Sequence, residues 1–161
     1  MKVKELMTAD PQVCTFSDSL ADAAGLMWEN DCGILPVVSE DGKVVGLITD
    51  RDICMAAALK GRQLADIAVE DTISRNVYSC KPDDDVRTAL KTMQEKRVHR
   101  LAVVNAEGTI EGVISMNDVV LKAEEQKDKK LPALSYSDVV KTYKAICQHR
   151  LPVQQTKAAT V

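Results

Sequence analysis

Apolar positions near the start of the chain first recur at helical spacing. From Leu20 to Met27 they fall at intervals of three and four residues, directly after the polar triplet Ser17-Asp18-Ser19. A polar cap followed by this spacing is typical of an amphipathic helix. The pattern therefore predicts a helix over residues 20–28.

The pattern then changes to short apolar runs separated by turn residues. Residues 34–38 and 44–48 are two such runs, and Asp41-Gly42 lies between them. Closely linked apolar runs around an Asp-Gly pair predict two strands joined as an antiparallel hairpin. Thr49 then begins a second helix, which is predicted to continue to about Leu59.

This pattern occurs twice along the chain. Residues 3–58 align with residues 69–124 without a gap, and identical residues recur along the whole match. A short strand near Val13 opens the first copy, and another near Tyr78 opens the second. The second copy further predicts a helix at 86–95, strands at 101–104 and 110–114 around Glu107-Gly108, and a helix at 115–124.

Each copy is thus a β-α-β-β-α unit, and the fold class is mixed α/β, or α+β, with a C-terminal helix. A unit of this size buries little apolar surface alone, so the two are expected to pack together about a pseudo-twofold axis. The predicted units are residues 1–62 and 63–125. Gly46 and Gly112 interrupt apolar strands, which marks a bulge or a close approach of backbone or ligand.

Three segments follow the repeats. Residues 126–134 are predicted to be a polar linker, residues 135–150 a partly amphipathic helix, and residues 151–161 a flexible tail. The helix is expected to pack on its own dimer, and docking to a partner protein is the alternative.

Composition narrows the classes of function. The formal net charge of −3 gives no general attraction to nucleic acid or anionic lipid. An aromatic content of 3% leaves little for stacking on single-stranded bases. No apolar stretch is long enough to span a membrane. Neither nucleic acid nor membrane is therefore an expected partner.

The cysteines and histidines argue against metal and catalytic sites. The 5 cysteines include no Cys-x-x-Cys pair and no signal peptide is seen, which predicts a reducing, cytoplasmic location. His99 and His149 have no neighbours at metal-ligand spacing. Without a P-loop, or a nucleophile, base and orienting residue together, we predict no enzyme activity, no metal and no required cofactor.

Two sets of motifs recur in phase in the two units. The first set is Leu35-Pro36-Val37-Val38, Asp41-Gly42 and residues 45–52; the second is residues 100–104, Gly108 and residues 112–118. One such motif alone would be weak, but two copies at the ends of the same pattern resemble the CBS domain family, named after cystathionine β-synthase. The segment 98–104 is also similar to a nucleotide-binding repeat of the AMP-activated protein kinase gamma subunit.

The resemblance covers residues 1–125 and implies a Bateman module. In such a module two units form a disc with two pseudo-symmetric ligand sites in the cleft between their sheets, and the discs commonly pair as homodimers. The implied ligands are adenosine derivatives, above all AMP, ADP or ATP, with S-adenosylmethionine or cyclic di-AMP as alternatives.

Ser115 and Asp118 are the first candidate binding residues. They lie three apart at a predicted helix start, on one face of its first turn. A carboxylate can accept hydrogen bonds from both hydroxyls of a ribose, and Ser115 is a candidate phosphate contact. The same spacing fits a helix cap that needs no ligand, and the two roles can coexist.

The second unit supplies three further candidates. His99 and Arg100 stand at the entry to a strand, and arginine is suited to grip a phosphate through two parallel hydrogen bonds. For both residues the alternative is a solvated loop. Ser79 ends the opening strand, where the resemblance places a hydroxyl near the nucleotide.

The first unit offers Thr49, Arg51 and Asp52 as candidates. It has Val13 in place of Ser79, and Gly33-Ile34 in place of His99 and Arg100. We therefore expect the site built on Asp118 to bind more tightly than the site built on Asp52.

The sequence thus predicts a regulatory module that senses an adenosine nucleotide in the cleft between two CBS repeats. The alternative is a structural or protein-interaction dimer with empty clefts. An unidentified effector protein is a further candidate partner.

Overall fold

The computed structural model describes residues 1–125 and 132–148. The predicted pair of repeated units followed by one helix is confirmed, except for the opening strand of the first unit. The strands and helices are β1 (Thr8–Ala9), α1 (Leu20–Glu29), β2 (Ile34–Val38), β3 (Val44–Thr49), α2 (Asp50–Lys60), β4 (Ser79–Cys80), α3 (Val86–Lys96), β5 (Arg100–Val104), β6 (Ile110–Ser115), α4 (Met116–Lys122) and α5 (Tyr136–Ile146).

Both predicted hairpins form in the expected register. In the first, β2 pairs antiparallel with β3, and Leu35 lies opposite Ile48. In the second, β5 pairs with β6, and Leu101 lies opposite Ile114. The second hairpin belongs to a four-stranded sheet in the order β1-β6-β5-β4, whereas β2 and β3 form a two-stranded sheet.

The short strand predicted near Val13 is reduced to a single bridge. The Cys14 N–H donates to the Pro36 carbonyl at 3.0 Å and the Val38 N–H donates to the Cys14 carbonyl at 2.9 Å, but Pro36 has no N–H to donate to the Gln12 carbonyl. In the second unit the Ala102 N–H donates to the Tyr78 carbonyl at 3.2 Å, so β4 forms there as a strand. Proline at residue 36 thus explains why the two units differ at this edge.

The leading segment of each unit is exchanged with the other unit. Val3 packs in the core of the second unit, and its N–H donates to the Asp84 carbonyl at 3.0 Å. Val69 packs in the core of the first unit, and its N–H donates to the Asp18 carbonyl at 2.8 Å. The core of each unit therefore contains the leading segment of the other unit.

The turns of the two hairpins are hydrogen-bonded to each other. The Val44 N–H donates to the Gly108 carbonyl at 3.2 Å, and the Ile110 N–H donates to the Gly42 carbonyl at 3.4 Å. Because aligned residues contact each other in both directions, the two units are related by a pseudo-twofold axis. Gly42 and Gly108 have φ angles of 75° and 86°, which suit glycine at the turns.

Gly46 and Gly112 allow the exchanged segments to cross the strands closely. A Cβ on Gly112 would lie 2.6 Å from Met7 Sδ and 2.9 Å from the Thr8 backbone oxygen. A Cβ on Gly46 would lie 2.7 Å from Ile73 Cδ1. The predicted close approach is therefore an approach of the protein's own backbone and side chains.

Helix α4 ends at Lys122, before the predicted end at residue 124. Ala123 adopts extended backbone, and the Glu124 N–H donates to the Leu134 carbonyl at 3.0 Å. The backbone after Lys122 thus pairs with the segment that leads into α5. Most of the predicted linker, residues 126–131, lies outside the described residues.

Helix α5 packs on the second unit against α3 and α4. Gln94 Nε2 donates to the buried Thr142 hydroxyl at 2.8 Å, and Ile146 joins the core. The helix ends at Ile146, before the predicted end at residue 150, and Cys147 and Gln148 after it are exposed. The predicted tail at residues 151–161 lies outside the described residues.

An ion pair also holds α5 in place. Arg87 Nη2 lies 3.5 Å from Asp138 Oδ2, and Asp138 completes the cap made by Ser135. Burial opposes ionisation of Asp138, but the hydrogen bonds from Ser135 and the Arg87 charge outweigh it and hold the pKa of the carboxyl below its usual value. Within residues 1–125 and 132–148, no helix has the length and apolar character needed to cross a bilayer.

The strand glycines give a direct test of this packing. We expect Gly112→Ala to lower the free energy of unfolding by about 1–3 kcal/mol, because the added methyl group meets the Thr8 backbone. Gly25→Ala is the control, since a Cβ there has no neighbour within 4 Å and the helix should gain about 0.5–1 kcal/mol. Urea denaturation measures both, and equal effects would contradict the close approach.

Candidate ligand-binding pockets

Two pockets lie between the units, and aligned residues line them. The Asp118 pocket, about 360 Å³, combines Ser115 and Asp118 with the segments 8–12 and 30–34 of the first unit. The Asp52 pocket, about 380 Å³, combines Thr49 and Asp52 with the segments 74–78 and 96–100 of the second unit. Both volumes fall in the range of small-molecule sites.

Each pocket therefore draws residues from both units, which changes the grouping expected from the sequence. His99 was expected beside Asp118, yet it lines the Asp52 pocket, with Thr49. The reason is that each helix start faces the other unit across the cleft, so the segment 96–100 lines the pocket of Asp52 and the segment 30–34 lines the pocket of Asp118. We expected the Asp118 site to bind more tightly because the second unit supplies His99 and Arg100. Since both residues line the Asp52 pocket, that reason no longer applies.

Both aspartates take part in helix caps. The Ser115 N–H and hydroxyl donate to Asp118 Oδ2 at 2.7 and 2.6 Å. The Thr49 N–H and hydroxyl donate to Asp52 Oδ2 at 3.0 and 2.7 Å. All these bonds use Oδ2, so among the described residues Oδ1 of each carboxylate remains available to a ligand. Cap and ligand contact are compatible in this geometry.

The cap also limits what Ser115 can do. A serine hydroxyl has one proton, and here that proton is donated to Asp118 Oδ2. Ser115 consequently has no hydrogen left for a phosphate oxygen while the cap is formed. The predicted phosphate contact must come from other residues.

Arg100 lies between the two pockets and lines both. It is the cross-strand partner of Ser115, and its Nη2 atom lies 3.5 Å from the position that a Cβ of Gly33 would occupy. Its aligned residue, Ile34, is the partner of Thr49 and also lines both pockets. The centre of the cleft is thus charged on one side and apolar on the other.

His99 connects the Asp52 pocket to the C-terminal helix. Its ring lies 6.2 Å from the ring of Tyr143 on α5, centroid to centroid. The remaining two candidates are placed elsewhere, because Ser79 and Arg51 are exposed and line neither pocket. Ser79 lies in β4 opposite Ala102, and Arg51 lies in the first turn of α2.

Sequence reasoning missed several pocket residues that have unusual backbone. Asp10, Asp31 and Arg97 have φ angles of 47°, 48° and 55°, and they are the non-glycine residues with positive φ in the described chain. All three line a pocket, and such conformations concentrate at functional sites. The sequence did contain a signal, because the alignment of the two units places the acid Asp31 opposite the base Arg97.

The described residues contain no group of three potential metal ligands close enough to hold an ion. The polar atoms of the pockets are instead carboxylates, amides, hydroxyls and guanidinium groups, which suit an organic ligand with hydroxyl and charged groups.

Comparison with known proteins identifies the repeats. The family model described as "CBS domain" matches residues 3–59 and 68–125. The uncharacterized protein YlbB of Bacillus subtilis is 33% identical over 136 residues, which are 83% of this chain and 89% of YlbB. Homoserine O-acetyltransferase of Methanohalobium evestigatum is 31% identical over 76% of this chain, which spans 24% of that enzyme.

Solved structures share the fold. The CBS domain pair of protein MJ0100, in complex with 5′-methylthioadenosine and S-adenosyl-L-methionine, has a TM-score of 0.66 and 26% identity, covering 75% of this chain and 94% of that one. CBSX2 in complex with AMP has a TM-score of 0.65 and 25% identity, covering 74% and 93%. The CBS domain protein TA0289 of Thermoplasma acidophilum reaches a TM-score of 0.73 at 21% identity, covering 90% and 75%.

The caps predict a stability effect that needs no ligand. We expect Ser115→Ala and Thr49→Ala each to lower the free energy of unfolding by about 1 kcal/mol, because each removes a side-chain acceptor at a helix start. Ser137→Ala is the control, since Ser137 is exposed within α5 and should change stability by less than about 0.5 kcal/mol. Urea denaturation without ligand distinguishes them, and no loss in either cap variant would contradict the geometry.

Proposed function

Because this chain belongs to the CBS domain family, we propose that it is a regulatory module whose pockets bind adenosine ligands, in particular a nucleotide of the AMP, ADP or ATP type. The observation that carries the proposal is the pair of aligned pockets, each lined by an aspartate whose Oδ1 is not used by its helix cap. A ribose offers two neighbouring hydroxyls, and the two lone pairs of a free carboxylate oxygen such as Oδ1 can accept hydrogen bonds from both.

The solved relatives support this choice of ligand. The MJ0100 structure holds two adenosyl compounds without phosphate, and the CBSX2 structure holds AMP, which carries one phosphate. The present pockets, of about 360 and 380 Å³, have room for a compound of that class. S-adenosylmethionine and cyclic di-AMP remain alternative ligands of the same class.

A binding role fits the pockets better than a catalytic one. Cys32 lines the Asp118 pocket and His99 lines the Asp52 pocket, so this thiol and imidazole do not form a nucleophile and base pair within one pocket. Burial, reinforced by Asp18 and Asp84, raises the pKa of the Cys14 and Cys80 thiols to about 12. Those two thiols stay protonated and unreactive near neutral pH.

We expect an adenosine ligand to stabilise the protein against heat. At one hundred times its dissociation constant a ligand adds about 2.7 kcal/mol to the free energy of unfolding. A thermal-shift panel with AMP, ADP, ATP, S-adenosylmethionine and cyclic di-AMP measures this, and for each compound the shift should fall in Asp118→Ala or in Asp52→Ala, according to the pocket that the compound occupies.

Glu40→Ala is the matched control for those variants, because Glu40 is an exposed acid in the turn between β2 and β3 and lines neither pocket. If no compound raises the melting temperature of the wild type, the alternative of a structural or protein-interaction dimer with empty clefts becomes the better one.

Pairing of two copies is the second part of the proposal. A groove of about 520 Å³ between α1 and α2 has an apolar wall that includes Ala24, Trp28 and Cys54, while Asp31, Asp50 and Arg100 line its other side, and Trp28 is 89% exposed. The aligned groove of the second unit is filled by α5, whose Thr142 bonds to Gln94, the residue aligned with Trp28. An apolar wall left open on one unit favours pairing with the same wall of a second copy, and an effector protein is the competing occupant.

We expect Trp28→Glu to convert a homodimer to monomers, because it replaces an exposed apolar side chain of the groove's apolar wall with a charged one. Sedimentation velocity measures the mass of each species. Val140→Glu serves as the control, since Val140 is 57% exposed on α5 and lies outside that groove. A wild-type monomer, or a Trp28→Glu dimer, would contradict pairing through this surface.

A further inference from the structure

The two pockets are equivalent in position but opposite in charge. The charged residues that line the Asp118 pocket are three acids and one base, namely Asp10, Asp31, Asp118 and Arg100. Those that line the Asp52 pocket are one acid and three bases, namely Asp52, Lys96, Arg97 and Arg100, with His99 beside them. Since Arg100 is common to both, the difference comes entirely from the other side chains.

The inversion is concentrated where α1 and α3 end. Asn30-Asp31 follows α1 at the position where α3 has Lys96-Arg97. Asp31 and Arg97 share a left-handed backbone, with φ angles of 48° and 55°. The same backbone turn therefore presents a carboxylate to one pocket and a guanidinium to the other.

A neighbouring aromatic ring helps to hold the basic group at its pocket. Lys96 Nζ lies 5.5 Å from the centre of the Tyr78 ring, and both residues line the Asp52 pocket. The aligned residues, Asn30 and Gln12, are uncharged and line the Asp118 pocket. The ammonium group thus has no counterpart in the other pocket.

We propose that the two pockets sort adenosine ligands by charge. The Asp52 pocket takes the phosphate-bearing nucleotide, and the Asp118 pocket takes an adenosyl compound without phosphate, with a neutral or cationic 5′ group. In both, the aspartate holds the ribose. The inference rests on the proposed function. It assigns the nucleotide to the Asp52 pocket, which the sequence analysis expected to bind less tightly than the Asp118 pocket.

Electrostatics gives the physical reason. A phosphate in the Asp52 pocket meets three basic side chains and one carboxylate, whereas in the Asp118 pocket it meets three carboxylates and one basic side chain, Arg100. Most of these groups are exposed, so each contributes only about a fivefold change in affinity at physiological salt. Several of them acting together still separate the two pockets, and the separation narrows as salt rises.

Isothermal titration calorimetry with AMP and with 5′-methylthioadenosine tests the proposal. The double variant Lys96→Asn/Arg97→Asp installs the first unit's residues, and we expect it to weaken AMP binding by about tenfold or more while changing 5′-methylthioadenosine binding by less than about twofold. The reciprocal variant Asn30→Lys/Asp31→Arg should add a second equivalent of bound AMP.

Lys91→Asn is the matched control, because it removes a positive charge from α3 outside both pockets. If a double variant does not fold, as judged by circular dichroism, Lys96→Asn alone and the salt dependence of the wild type replace it. Rising salt must then weaken AMP binding and leave 5′-methylthioadenosine binding nearly unchanged.

The outcomes separate the two proposals. AMP binding that survives Lys96→Asn/Arg97→Asp and is lost in Asp118→Ala would overturn the sorting and leave the proposed function standing. A wild type that binds neither compound would overturn both.

Discussion

The exchange of leading segments is the constraint on which both cores and both pockets depend. Val3 completes the core of the second unit and Val69 that of the first, so neither core is complete without the other half of the chain. The exchange is possible because Gly46 and Gly112 leave room for a crossing segment. Two glycines thus determine how closely the halves approach, and the pockets lie in the cleft that this approach creates.

Most of the fold follows from local patterns in the sequence. Helical spacing, the Asp-Gly turn and the ungapped repeat predict every long helix and strand, because each is formed by contiguous residues with their own periodicity. The strand near Val13 failed because residue 36, in the strand with which it pairs, is a proline without an N–H. The early end of α4 also depends on a contact between segments, the pairing of Glu124 with Leu134, which sequence spacing does not reveal.

The candidate site was harder to predict, because its residues come from both units. The sequence identified Asp52, Asp118, His99 and Arg100 individually, and the structure places all four at the pockets. It did not show that His99 lies across the cleft with Asp52. An ungapped alignment shows which residues are equivalent, but not which half they face. Once the exchange is known, the aligned pair Asp31 and Arg97 explains the electrostatic difference between the pockets.

Joining the two units in one chain has an evolutionary consequence. A single unit lacking its exchanged segment could complete its core only by swapping with an identical copy, and every substitution would then alter both pockets at once. In the tandem chain, residue 31 and residue 97 are encoded separately while sharing one backbone conformation. Duplication therefore let the two pockets acquire opposite charges without any change in the scaffold that holds them.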